Sequence, residues 1–279
     1  MRIALFRPLD AASLLAAVPA LRALDAALPQ APITLIAPPE LREIGARLAR
    51  YLDAFLEFPG FPGIPGECQL DAVPGFFERA KRERFDLAIQ MHGAGEIVNP
   101  LMVLMGAEHN AGFYRPGRYC PDPQRYLEWR ESEDEVERWL RLAIHLGAAS
   151  RGAFLEFPLL AEDWAEWRAL RLRHYVCLHC TGQAQHFAEL GDALAAEGWN
   201  VVLTGPVRVA AAMRQPAVDL AGRVSLGAAA ALIAKAGLLV AADRTVTRIG
   251  AAMRTPVVIP QADSRQTLRA ARELLARAA

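Results

Sequence analysis

Short apolar runs alternate with stretches of helical spacing along almost the whole chain. Residues 2–6 form an apolar run, Leu14, Val18, Leu21 and Leu28 then recur at helical spacing, and a proline break over 29–32 precedes a second apolar run, 33–36. Residues three and four apart share one face of a helix, and a short apolar run bounded by turn residues reads as a strand, so this opening predicts a βαβ unit. Pro38-Pro39 opens a further helix with Leu41, Ile44, Leu48 and Leu52 on one face, and the proline- and glycine-rich stretch 58–66 predicts an extended loop. A helical stretch around 73–82 leads to a strand over 86–90, the glycine turn Met91-His92-Gly93-Ala94-Gly95, and a helix over 97–105. Residues 114–128 are rich in Pro, Arg and Tyr without a period, and 131–146 is an amphipathic helix built on Val136, Trp139, Leu140, Ala143 and Leu146.

The second half repeats the alternation. Strands are expected over 175–179, 200–203, 238–241 and 256–259, and helices over 184–197, 226–235, 245–253 and 264–278. The fold class that follows is α/β, with two Rossmann-like, doubly wound parallel-sheet domains and ligands at the carboxyl ends of the strands. The expected domains are 1–157 and 158–279, with the boundary in the stretch 157–173 and 264–278 as the final helix.

Composition narrows the functions. The chain has 279 residues, 53% of them hydrophobic, and 31 basic side chains balance 31 acidic ones. It therefore lacks the bulk positive charge a nucleic-acid binder usually carries, and no nucleic-acid partner is expected. The most apolar window, 226–242, carries Lys235 and falls short of the roughly 18 clean apolar residues a membrane span needs. With no targeting segment evident after Met1, a cytoplasmic protein without a transmembrane segment is expected. Cys68, Cys120, Cys177 and Cys180 are too sparse for a disulfide scaffold. Cys177 and Cys180 continue a strand-like run in which positions three apart point to opposite faces, so buried inert thiols are expected and no metal site.

Several stretches resemble a known family. Val218-Asp219-Leu220-Ala221-Gly222-Arg223-Val224-Ser225-Leu226, followed by Ala231 to Val240, resembles the donor-domain segment of glycosyltransferase family 9, the bacterial heptosyltransferases. Phe6-Arg7-Pro8, the run Ala17 to Leu24, Phe85 to Gly93, and Val201-Val202-Leu203-Thr204-Gly205 are similar to its other landmarks, in the same order. The resemblance implies a GT-B-like architecture, with a glycan acceptor on the first domain and an ADP-sugar donor on the second, facing across a cleft. It also implies transfer of a sugar with inversion, usually heptose onto lipopolysaccharide core, by a protein that works at the cytoplasmic side or as a peripheral protein of the inner membrane. No other cofactor is implied. Such transfer needs a carboxylate base for the acceptor hydroxyl, and positive charge or helix N-terminal N–H groups for the departing diphosphate.

The residues at those positions depart from the family. Where the family has Gly-Asp at the start of the first helix, this chain has Ala12-Ser13, and a serine hydroxyl is no base at neutral pH. Asp10 either moves into the role or caps the helix. His92 is the other candidate base, or else a structural hydrogen-bonding residue. The family's basic stretch after the strand ending at His179 is missing, which leaves Thr181 and Gly182, with Thr204 and Gly205 nearby in the motif order, either as phosphate contacts or as ordinary turns. The family's Asn-Asp-Thr-Gly-x-x-His reads Ala242-Asp243-Arg244-Thr245-Val246-Thr247-Arg248. Asp243 is kept, Thr245 replaces a glycine, and Arg248 replaces a histidine. Arg244 and Arg248 lie four apart on one helical face and either bind phosphate through their guanidinium groups or form a surface pair. Two readings stay open. One is a glycosyltransferase with altered contacts; the other is an inactive family member that serves as a partner subunit, a homo-oligomer or a nucleotide-binding protein. Tyr114, Tyr119, Tyr126 and Trp129 either form a partner surface or cap the first core.

Overall fold

The computed structural model describes residues 1–278. Two compact units divide between Phe154 and Leu155. The first runs β1 (Ile3–Phe6), α1 (Ala11–Ala27), β2 (Ile33–Ala37), α2 (Arg42–Arg47), β3 (Ala54–Glu57), α3 (Val73–Glu83), β4 (Leu87–Gln90), α4 (Val98–Leu104), β5 (His109–Tyr114), β6 (Tyr126–Glu128) and α5 (Glu135–His145). The second runs α6 (Ala161–Ala169), β7 (Tyr175–His179), α7 (Ala184–Ala196), β8 (Asn200–Thr204), β9 (Val218–Asp219), α8 (Leu226–Lys235), β10 (Leu238–Ala241), α9 (Arg244–Met253), β11 (Val257–Val258) and α10 (Ser264–Ala278).

Both sheets are parallel throughout the described residues. The first has the order β3-β2-β1-β4-β5-β6 and the second β11-β10-β7-β8-β9. The central strands of the first sheet are apolar at almost every position and buried on both faces, as parallel strands covered by helices must be; Ile3 lies beside both Ile33 and Leu87. Helix α1 is buried from Ala12 to Leu24 and packs on α5, which explains why it is apolar on nearly every side. In each sheet the strand order reverses once, between β1 and β4 and between β7 and β10, and a doubly wound sheet opens a crevice at the carboxyl ends of such a pair.

Five elements go beyond the expected pattern. Strands β3, β6 and β9 are edge strands of two to four residues, too short to show a period. Strand β5 reads His-Asn-Ala-Gly-Phe-Tyr, and its Gly112 is there because a Cβ would stand 2.3 Å from Gln90 Cγ on the neighbouring strand. Helix α6 occupies the stretch expected to hold the domain boundary, and its charged residues lie on several sides, so it shows no apolar stripe. The helix expected from Pro39 to Leu52 is shorter, a single 3-10 turn (Pro39–Leu41) followed by α2, although Leu48 and Leu52 are buried as the spacing requires. Among the aromatics considered for a partner surface, Tyr126 is buried, and Trp129 packs edge-on against Phe113 at 5.7 Å and beside Trp139. They cap the first core, and only Tyr119 among the four is freely exposed. Among the described residues no helix is long and apolar enough to cross a membrane.

Candidate functional site

At the β1/β4 switch point of the first unit stands Arg7, wholly buried. Its guanidinium donates to the Ser13 carbonyl at 3.2 Å and to the Met91 carbonyl, pairs with Glu135, and lies over the Trp139 ring at 4.5 Å. It thereby ties together the turn after β1, the turn after β4 and the start of α5. Asp10 accepts from the Ser13 amide at 2.7 Å and caps α1. Ser13 sits inside the first turn of α1 and is 2% exposed, so its hydroxyl is withdrawn from solvent. Asp10 also lines a cavity of about 430 Å3 beyond β2 and β3, whose wall includes the acidic Glu40, Glu57 and Glu67.

His92 follows β4. Its amide donates to Gln90 Oε1 at 2.7 Å, its ring meets the edge of Phe6, and its Nδ1 is buried without a partner. Burial, with the Arg7 charge adding to it, lowers its pKa to about 4, so the ring is neutral at physiological pH and a weak base. His92, Gly93 and Arg115 line a second cavity of about 200 Å3. The turn is held from behind by two fully buried amides that the sequence reading passed over: Gln90 donates to Phe113 O at 3.1 Å and Asn99 Oδ1 at 3.3 Å, and Asn99 donates to Phe113 O at 3.0 Å. The only sequence signal for this pair is a polar residue closing an otherwise apolar strand.

A pH dependence follows from His92. Between pH 6.5 and about 4 the unfolded chain takes up a proton that the folded ring refuses, so stability is intact above pH 6.5 and falls by about 3 kcal/mol as pH drops through that window. The variant His92→Gln should flatten this part of a melting-temperature profile relative to the natural chain; two superimposable profiles would show that the ring does not titrate this way.

In the second unit the candidate residues gather at the β7/β10 switch point. Thr204, at the end of β8, is buried and its Oγ1 lies 3.1 Å from Nδ1 of His179, while its carbonyl accepts from the Cys180 amide at 2.9 Å. It is therefore spent on holding the turn. Gly205 has φ of +95°, and a Cβ there would stand 2.5 Å from the Cys180 carbonyl oxygen. Thr181 is exposed and Gly182 open on its Cα side, just ahead of α7, whose cap residue Gln183 makes no side-chain capping bond. Asp243 caps α9 by accepting from the Val246 amide at 2.9 Å. Arg244 and Arg248 fall on one face of α9 because the helix begins at Arg244, with Thr245 half-buried between them. His179, not singled out by sequence, is the additional residue here: burial lowers its pKa, and the Asp243 carboxylate opposes that shift. Cys177 and Cys180 are buried thiols pushed up to about 12 by desolvation, hence protonated at neutral pH.

The model of glycosyltransferase family 9 (heptosyltransferase) matches residues 75–259. The fold is similar to a glycosyl transferase family 9 structure from Veillonella parvula DSM 2008 (TM-score 0.76, 16% identity, 99% of this chain and 97% of that one). It is also similar to ADP-heptose lps heptosyltransferase II of E. coli (TM-score 0.74, 20% identity, 99% of both chains) and to E. coli heptosyltransferase WaaC with ADP-2-deoxy-2-fluoro heptose (TM-score 0.69, 17% identity, 100% of both chains). No curated protein matches the sequence. With two parallel α/β domains of this GT-B-like kind and a family match over most of its length, the chain belongs to glycosyltransferase family 9.

Proposed function

We propose that this chain binds a nucleoside-diphosphate sugar, of the ADP-sugar type, at the β7/β10 switch point, and that it does not transfer the sugar. The donor-type domain is then 158–279 and the acceptor-type domain 1–157. The observation that carries this reading is the state of the base position. Ser13 is buried in the first turn of α1, Asp10 is committed through Oδ1 to capping that helix, and His92 is a desolvated ring of depressed pKa, so none of the three is arranged as a dedicated base for an acceptor hydroxyl. The donor half keeps more: the turn Thr181-Gly182, the uncapped start of α7, and Arg244 and Arg248 at the head of α9 offer N–H groups and positive charge of the kind a diphosphate accepts. Heptosyltransferases of the same fold have been solved with ADP and with an ADP-sugar analogue, which supports the ligand class.

Calorimetric titration with ADP and ADP-sugars tests the donor half. Micromolar binding, weakened by Arg244→Gln together with Arg248→Gln, is expected; no heat at millimolar nucleotide from folded protein sinks the reading. A transfer assay tests the other half, and the natural chain is expected to show no turnover. If turnover appears, Asp10→Asn decides its origin. Asparagine caps a helix as well as aspartate does, so that variant keeps the fold and loses only a base, whereas Asp10→Ala costs about 1 kcal/mol of stability through the lost cap.

A further inference from the structure

The second unit carries a basic cavity that donor binding does not use. It measures about 330 Å3 and is lined by Trp167, Arg168, Arg171, Leu172 and Arg173. Trp167 and Arg168 belong to the last turn of α6, and Arg171, Leu172 and Arg173 to the link from α6 to β7, so the cavity lies toward the amino end of a strand whose other end holds His179. No acidic residue lines the cavity. Among the described residues Arg168, Arg171 and Arg173 each make no ion pair within 4 Å, and all three are exposed. Three arginines lining one cavity without an acidic residue give it a positive potential that favours an anion.

Two further features make this a formed site. The indole of Trp167 is fixed, because its Nε1 donates to the Tyr175 hydroxyl at 3.0 Å and that hydroxyl donates to the Leu232 carbonyl at 2.7 Å. A fixed aromatic wall thus stands beside exposed arginines. Arg171 also holds a left-handed backbone, φ +51°, in the turn after α6, where glycine would sit without strain. The chain bears that strain and gains a guanidinium at the rim.

We propose that this cavity is a phosphate-binding site, separate from the donor position. Planar guanidinium forks match the paired oxygens of a phosphate ester, and the volume admits a phosphate together with a small organic residue against Trp167. The phosphate is borne by a soluble ligand or by the headgroup of an anionic lipid.

The test uses the full chain carrying Arg244→Gln and Arg248→Gln, so that the proposed donor position does not contribute. Inorganic pyrophosphate is titrated by calorimetry, and co-sedimentation is measured with phosphatidylcholine vesicles with and without phosphatidylglycerol. Saturable, salt-sensitive binding is expected, weakened about tenfold or more when Arg168, Arg171 and Arg173 are all changed to Gln. The single variant Arg171→Gly is expected to keep its melting temperature while weakening binding several-fold, a separation that a purely structural arginine would not produce. Recruitment to anionic vesicles that the triple variant loses identifies a lipid headgroup; pyrophosphate binding without recruitment identifies a soluble phosphate ligand. Absence of both bindings, or both unchanged in the triple variant, overturns the proposal. Neither result depends on whether ADP binds at the donor position.

Discussion

Replacing Arg7 by methionine is expected to cost about 3–5 kcal/mol of stability, the range for removing one partner of a buried ion pair, and to lower the melting temperature by on the order of 10 °C. The loss goes beyond one contact. The change strands the Glu135 carboxylate, leaves the Met91 carbonyl without this donor, removes the link to the Ser13 carbonyl, and takes a cation from the face of Trp139. The double variant Arg7→Met with Glu135→Leu should be less destabilised than Arg7→Met alone, because no orphan charge is then buried. Removing Arg7 also removes the lesser of the two causes that depress His92, so the folded and unfolded rings titrate closer together and the loss of stability below pH 6.5 should become smaller. Thermal unfolding followed by circular dichroism reads all three. A shift of only a degree or two in Arg7→Met would mean that the guanidinium is not the tie between these three segments.

That tie marks the limit of what sequence reading reaches. The alternation of strands and helices is legible because parallel strands such as β1 and β7 are uniformly apolar and helices such as α5 carry an apolar stripe, both local properties. So is the presence of candidate residues at Asp10, His92 and Asp243, each of which follows a strand or opens a helix. Their state is not legible, because it is set by distant partners. Arg7 meets Glu135 across 128 residues, Gln90 reaches Phe113 across 23, and His179 meets Thr204 across 25. Asp10 is the exception, since a capping bond spans only three residues and the helix start predicts it. Strand β5 hides for a related reason: Gly112 lowers its strand character in order to make room for Gln90, a need visible only once β4 lies beside it. Helix α6 is obscure because part of its stabilisation comes from packing on α8, while its own sequence shows no stripe.

Changing Gly205 to alanine is expected to destabilise the second unit by about 3–5 kcal/mol and to abolish nucleotide binding at the proposed donor position. Two costs combine. A residue with a Cβ at φ +95° costs about 1–3 kcal/mol in backbone strain, and the new methyl would stand 2.5 Å from the Cys180 carbonyl oxygen and 2.9 Å from its amide nitrogen, where a packed backbone has to move. That backbone is itself committed, since the Cys180 carbonyl accepts from Val207 at 3.2 Å and the Cys180 amide donates to Thr204. Whatever moves Cys180 displaces Thr181 and Gly182, whose N–H groups lead into α7. Gly198→Ala provides the control. Gly198 has nearly the same backbone, φ +92°, but nothing within 4 Å of the site a Cβ would take, so it bears the backbone cost alone and should leave ADP binding intact. The difference between the two variants in thermal unfolding isolates the close approach at Cys180. Equal losses in both would mean that the turns after β7 and β8 are not packed together, and the donor position would then lack the rigid floor on which its binding depends.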